Sequence, residues 1–205
     1  MYRKAKAHFK KADPILYEAA RRHRIDDIVP SRDLFGDLVF AIVNQQLSSK
    51  AAMTIYARLE GKLKGKAGAK RISPDAILKL PLRSLRSAGL SGAKAAALKS
   101  LAAAAATGAL DLAVLRAHPD DMVIEILTSV KGIGPWTAEM ILMHSLGRED
   151  VFSKGDLGLR KGIMRLYGLK AMPSDRVMDR LAARWSPYRT YAAKVIWRVA
   201  DEKKR

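Results

Sequence analysis

Apolar residues recur along the chain at three- and four-residue spacing, the period of an α-helix that buries one face. The clearest stripe is Leu34, Leu38, Val39, Ile42 and Val43 in SRDLFGDLVFAIVNQQLS, which predicts a helix opening at Ser31. Helix-start chemistry accompanies the stripes. Asp13 ahead of Pro14 predicts an N-cap followed by proline at the first helical position. Ser48 or Ser49 fills the cap position before KAAMTIYARLEGKL, and SPDAILKL and PLRSLRSAG are short helices, each with proline at the first helical position. SGAKAAALKSLAAAAATG is a strong helix former that stops at Gly108, and its alanines favour close helix packing. DLAVLRAH, PDDMVIEILTSV, PWTAEMILMHSLG, DLGLRKGIMRLYG, PSDRVMDRLAARWS and PYRTYAAKVIWRVADE continue the helical pattern. Period-2 alternation between turns is absent, so the predicted fold is all-α. The Gly/Lys-rich stretch GKLKGKAGAKR, residues 61 to 71, is predicted as a loop and the main break in the chain.

Composition adds a partner. The formal net charge of the 205-residue chain is +18, and a globular domain this cationic points to a polyanion, most simply nucleic acid. There is no cysteine, which excludes disulfides, zinc–thiolate sites and a cysteine-ligated iron–sulfur cluster. His8, His23, His118 and His144 have no metal-ligand spacing. The charged start MYRKAKAHFKKADP lacks the apolar stretch of a secretory signal, and no apolar run reaches the roughly 18 residues of a membrane span. The expected location is therefore the cytoplasm, on the nucleoid, or the nucleus in a eukaryote, with no membrane partner.

The chemistry concentrates in SVKGIGPWTAEMIL, residues 129 to 142. One helix is predicted to end near Thr128 and the next to begin at Pro135. Gly132 and Gly134 can take positive φ and lack a Cβ, so another backbone can approach closely. Their amides lie beside a helix N-terminus, where the dipole favours an anion. Spacing alone leaves an ordinary αα-hairpin turn and a phosphate site equally open; the net charge tilts the choice to phosphate, bound by the Gly132 and Gly134 amides with Trp136 or Thr137.

LTSVKGIGPWTAEMIL resembles the helix–hairpin–helix of the helix–hairpin–helix/GPD DNA glycosylases. About 20 residues downstream, DVFSKGDLGLRKGIMRLYG places Gly155 and Asp156 where that superfamily has its Gly/Pro-rich loop and aspartate. FGDLVFAIVNQQLSSKAAMTIYARL and LRSAGLSGAKAAALKSLA are similar to the preceding family segments, and WSPYRTYAAKVIW resembles the end of the 3-methyladenine glycosylases. The resemblance runs from about residue 31 to residue 200 and rests on several motifs in order. It implies a minimal form: residues 1–12 a basic N-terminal arm, and residues 13–205 a glycosylase domain. That domain has two helical lobes flanking a DNA-binding cleft and the hairpin at about 119–146.

The implied activity is monofunctional, hydrolytic excision of alkylated purines (3-methyladenine, 7-methylguanine, and by extension hypoxanthine or 1-methyladenine) from double-stranded DNA, leaving an abasic site. A same-fold glycosylase for deaminated or mismatched bases, and a non-catalytic DNA-binding module, are the competing readings. Asp156 matches the catalytic carboxylate, beneath a sugar that becomes oxocarbenium-like; from the residues alone it is also a natural N-cap. Relatives that also cleave the strand carry a lysine nucleophile where this chain has Trp136, so no lyase activity is implied. An aromatic wall holds a flipped cationic base by stacking and cation–π attraction; the resemblance assigns Trp136 and Trp197 to it, and leaves Trp185 to the core. Gln46 or Leu47 matches the wedge that fills the hole in the duplex, while Gln45 could instead tie helices together. Main-chain carbonyls of Thr128, Val130 and Ile133 match a monovalent-cation site (Na or K); no other cofactor is implied, and a monomer is expected. Lys62, Lys64, Lys66, Lys70, Arg71, Lys154, Arg160 and Lys161 are candidates for the electrostatic footprint, and a solvated face is the equal alternative for the loop lysines. Asp150 reads as a surface residue.

Overall fold

The computed structural model describes residues 1–67 and 72–202. Twelve α-helices and one short 3-10 turn, with no β-strand, make up the regular structure of those residues. The first six helices are α1 (Tyr2–Ala12), α2 (Pro14–Arg22), α3 (Leu34–Asn44), α4 (Ser49–Ala67), α5 (Pro74–Lys79) and α6 (Leu82–Ser87). The rest are α7 (Gly92–Ala106), α8 (Asp120–Thr128), α9 (Pro135–His144), α10 (Leu157–Leu166), α11 (Asp175–Trp185) and α12 (Arg189–Asp201). The chain divides into two compact units, Met1–Pro30 with Gly147–Arg205, and Ser31–Leu146.

The first unit packs α10 on α12 and sets α1, α2 and α11 around them. The segment expected to be a basic arm is instead α1, because Tyr2, Ala5 and Phe9 fall on one face and are buried. The Tyr2 hydroxyl donates to the Ala20 carbonyl at 2.9 Å, and its ring stacks on Tyr191 with centroids 5.9 Å apart. Arg3, Lys4, Lys10 and Lys11 are exposed, while Lys6 is half-buried with its Nζ 5.1 Å from the centroid of the Tyr2 ring. Asp13 caps α2 through the Leu16 amide at 3.2 Å, as its place before Pro14 predicts. Its fully buried carboxylate also accepts from Tyr167 Oη at 2.6 Å and from Trp185 Nε1 at 3.0 Å. Burial and this bond to Asp13 push the Tyr167 phenol well up from its ordinary value. Trp185 is 0% exposed, so its role is to join α11 to the α2 cap.

The second unit is built on α3, whose apolar stripe packs against α4, α7 and α9. That helix starts three residues later than Ser31. Asp33 is its cap, accepting from Gly36 N at 3.0 Å, while Ser31 Oγ accepts from the Asp33 amide. The predicted loop at 61–71 is helical as far as Ala67, because Leu59 and Leu63 continue the buried stripe of α4 past Gly61. Lys70 and Arg71 lie outside the described residues, as do the side chains of Lys64 and Lys66. Pro81 sits at the N-cap of α6 and not at its first helical position. DLAVLRAH forms only the 3-10 turn Leu115–Ala117.

Candidate functional site

Asp156 begins α10. Its Oδ1 accepts from the Leu159 amide at 2.7 Å, the N-cap bond, and from the indole Nε1 of Trp197 at 2.9 Å. Capping fixes the carboxylate against the backbone, and the indole from α12 fixes it from the side; the residue is 9% exposed. The register of the two helices is set by small residues. A Cβ on Gly162 would lie 2.5 Å from the Ile196 carbonyl oxygen, so α10 can approach α12 this closely only with glycine there. The strap before Asp156 is pinned to α12 as well. Thr190 Oγ1 donates to the Arg148 carbonyl at 2.7 Å and accepts from Val151 N at 3.0 Å. Asp150 accepts from Arg189 Nε at 2.8 Å, from Arg189 N at 3.2 Å and from Ser186 Oγ at 2.8 Å. It is therefore a part-buried anchor of α12 rather than a plain surface residue. Burial works to raise its carboxyl, but the hydrogen bonds from Arg189 and Ser186 prevail and hold it below the usual range.

Two residues expected in the electrostatic footprint are committed elsewhere. Arg160 donates to the Lys154 and Pro173 carbonyls at 2.8 and 2.7 Å and pairs with Asp175, and Lys154 pairs with Asp179 at 3.0 Å. They brace the loop around Asp156. Lys161 is exposed, and Lys62 is part-exposed on α4.

In the second unit, α8 ends at Thr128 and α9 begins at Pro135, as the motif predicts. The turn between them is closed by Ile133 N donating to Val130 O at 3.0 Å. Its two glycines differ. Gly132 has φ +95, and a Cβ there would lie 2.3 Å from that of Ala97 on α7, so both conformation and contact demand glycine. Gly134 has φ −101, in the range of any residue, and a Cβ on it would meet nothing within 4 Å. Thr137, expected among the phosphate ligands, is 2% exposed and its hydroxyl accepts from Gln45 Nε2 at 3.1 Å. It is a buried tie between α9 and the end of α3, closed off from a phosphate. Gln45 also donates to the Gly132 carbonyl at 3.0 Å, so it is the residue that joins helices.

Gln46, one of the two residues expected to act as a wedge, is exposed and holds φ +56, a left-handed conformation that non-glycine residues adopt rarely. Leu47 beside it is 39% exposed, a large apolar side chain turned outward. Lys94 holds this turn from beneath: its Nζ donates to Val43 O at 2.8 Å and to Gln45 O at 2.7 Å, satisfying carbonyls at the α3 C-terminus. Burial lowers the Lys94 ammonium from its ordinary value.

Trp136 lines a cavity of about 470 Å³ between α3 and α9, within the usual size range of small-ligand sites. Asp37, Phe40 and Asn44 wall it from α3, and Met140 and His144 join Trp136 from α9. Phe40 is held edge-on to Tyr56, with centroids 5.3 Å apart. Asp37, Phe40, Asn44, Met140 and His144 are absent from the sequence-derived site. Polar Asp37 and Asn44, seven positions apart on a strongly apolar helix, were the available signal.

Asp156 and Trp197 thus form one constellation in the first unit. Gly132, Gly134, Trp136, Gln46 and Leu47 belong to the second. Comparison with known proteins matches residues 39–187 to the HhH-GPD superfamily base excision DNA repair proteins. DNA-3-methyladenine glycosylase 1 of Schizosaccharomyces pombe is 30% identical over 186 residues, covering 90% of this chain and 80% of that protein. A 3-methyladenine DNA glycosylase of the same yeast, solved with abasic DNA, superposes with a TM-score of 0.85 at 30% identity, covering 98% of this chain and all of the other. The crystal structure of a DNA-3-methyladenine glycosidase from Bacillus halodurans gives 0.80 at 35% identity, over 96% of this chain and 88% of its own. The all-helical architecture, the hairpin at Thr128–Pro135 and the aspartate capping α10 all fall within the stretch that these matches cover. The chain belongs to the HhH-GPD superfamily of base excision DNA repair proteins.

Proposed function

We propose that the protein is a monofunctional DNA glycosylase that removes alkylated purines from double-stranded DNA. The carrying observation is Asp156, a carboxylate nearly shut from solvent and fixed by the Leu159 amide and the Trp197 indole. Breaking the C1′–N bond sends its electron pair to the departing base and leaves positive charge on the sugar. A rigidly held carboxylate stabilises that charge without reorganising, and this selects the transition state over the ground state. Water then bonds to C1′ and gives up a proton toward Asp156, leaving an abasic site. A base alkylated at N3 or N7 is already cationic and departs neutral, so it needs little protonation by the enzyme. Trp136 in place of a lysine leaves water as the nucleophile.

Binding follows the same division of labour. Gly134 lies at the N-terminus of α9 with open space where a side chain would stand, which suits a backbone phosphate approaching its amide. Gln46 or Leu47 fills the gap left by the flipped base, and Trp136 and Trp197 are the aromatic faces that each unit offers for stacking. Three main-chain oxygens at Thr128, Val130 and Ile133 would suit a monovalent cation. They are neutral, and Val130 O has a second lone pair beyond the one used by Ile133 N–H. Such an ion would add positive charge beside the phosphate. The reading is of a monomer on nucleoid or nuclear DNA.

The test is release of 3-methyladenine and 7-methylguanine from methylated duplex, wild type beside Asp156→Asn. Asparagine caps a helix as aspartate does, so the variant is expected to fold and bind DNA but to release no base. Equal release by both proteins would reduce Asp156 to a cap. Release of deaminated bases alone would overturn the substrate class.

A further inference from the structure

Asp37 stands apart among the polar groups of the Trp136 cavity. It is half-buried on the first turn of α3 and shares the cavity wall with the aromatic rings of Phe40 and Trp136, with Met140, and with the polar side chains of Asn44 and His144. Its carboxylate has no hydrogen-bond or ion-pair partner among the described residues, in a chain with 38 lysines and arginines. Removing a carboxylate from water without a partner is unfavourable. The helix dipole explains an acid on this turn, but Asp33 already caps the helix and the dipole does not require the side chain to line a cavity. Asn44, two turns further along the same wall, has a buried Oδ1 with no partner among the described residues. The ionisable groups lining the cavity are Asp37 and, from α9, His144. This wall offers acceptors and a negative charge beside aromatic faces, the arrangement that recognises organic cations.

We propose that Asp37 is the charge-selecting residue of the base pocket, favouring a cationic alkylated base over a neutral one. The inference rests on the glycosylase reading and adds to it. Aromatic stacking alone accepts any base, whereas a carboxylate in the pocket discriminates by charge. Asp37 and Trp136 line one cavity of about 470 Å³, a volume roughly 10 Å across, so a base held in it against Trp136 lies within about 10 Å of the carboxylate. At that range in a partly desolvated site, one charge supplies selectivity on the order of tenfold.

Single-turnover release of 7-methylguanine, a cation, and of hypoxanthine, a neutral purine, should be measured for wild type, Asp37→Asn and Asp37→Glu. Inhibition of 7-methylguanine release by N-methylquinolinium and by quinoline, a cation and its near-isosteric neutral counterpart, supplies a second reading independent of hypoxanthine turnover. Asp37→Asn should lower 7-methylguanine release and weaken the quinolinium about tenfold, with hypoxanthine and quinoline unchanged; Asp37→Glu should retain the preference. A fall of equal size for cation and neutral alike would make Asp37 a structural residue and overturn the proposal. So would no change in either. Wild type that releases neither base overturns the glycosylase reading itself, a result distinct from an active enzyme with an unaltered charge preference.

Discussion

Gly158→Ala separates the stability of the Asp156 site from its geometry. Gly158 lies in the first turn of α10, where alanine is the better helix former by up to about 1 kcal/mol. The added methyl would sit 3.0 Å from Asp156 Oδ1, 3.1 Å from Trp197 Cδ1 and 3.3 Å from Trp197 Nε1. An ordinary contact begins at 3.4 Å, so the carboxylate and the indole must yield by a few tenths of an ångström. Relief of such crowding costs about 1 kcal/mol, so folding stability should stay within about 1 kcal/mol of wild type, a shift in Tm of roughly 2–4 °C for a chain of this size. Activity is less tolerant. Catalytic groups need placement within about 0.5 Å, and a misplacement of about 1 Å costs on the order of 100-fold. Scaled to a few tenths of an ångström, release of 7-methylguanine should fall about five- to tenfold at single turnover. The assay is that rate beside a thermal melt of the same preparation. Full activity would show that the position of Asp156 is not critical. A loss accompanied by a Tm lowered far beyond this range would show that the methyl unfolds the turn.

Two further outcomes follow from the same contacts. Lys94→Met removes two hydrogen bonds from a charged donor to the Val43 and Gln45 carbonyls; part-exposed as it is, its loss should cost on the order of 2 kcal/mol, read as a lower denaturation midpoint at unchanged slope, and a cost below about 0.5 kcal/mol would show that water replaces the ammonium. Asp150 titrates below its ordinary value in the folded protein, so its contribution is fully present above the unfolded carboxyl pKa of about 4 and is lost as pH falls through the folded value. The gap in Tm between wild type and Asp150→Asn should be largest near neutral pH and close towards pH 3; a gap independent of pH would mean that Asp150 acts through shape alone.

Helix positions were largely legible because their signals are local. Asp13–Pro14, Pro74 and Thr128–Pro135 each pair a cap or proline with a boundary of an apolar stripe, and each marks a real terminus. The misreadings arose where tertiary packing overrode a local signal. Gly61 and Gly65 argue for a loop, yet Leu63 is buried and carries α4 to Ala67. The lysines of α1 argue for an arm, yet Tyr2, Ala5 and Phe9 bury a face between them, and charge on one side of a helix does not oppose burial on the other.

The site was legible where a residue's type is tied to its chemistry and obscure where only its neighbours decide. Asp156 is named by its place in a motif, but whether it caps or reacts cannot be separated by sequence, because one oxygen accepts from both the backbone and Trp197. Thr137 beside the hairpin has the same local surroundings as a phosphate ligand; the glutamine that closes it off is 92 residues away in sequence. Glycines make the point most sharply. Gly158 and Gly162 are one turn apart on α10 and identical in sequence terms. A methyl at Gly162 meets the Ile196 backbone, which cannot yield without separating α10 from α12, whereas a methyl at Gly158 meets only the side chains of Asp156 and Trp197, which can. Gly162 therefore keeps the fold, and Gly158 keeps the position of the carboxylate. No pattern within α10 distinguishes them, because the difference lies wholly in what α12 presents to each.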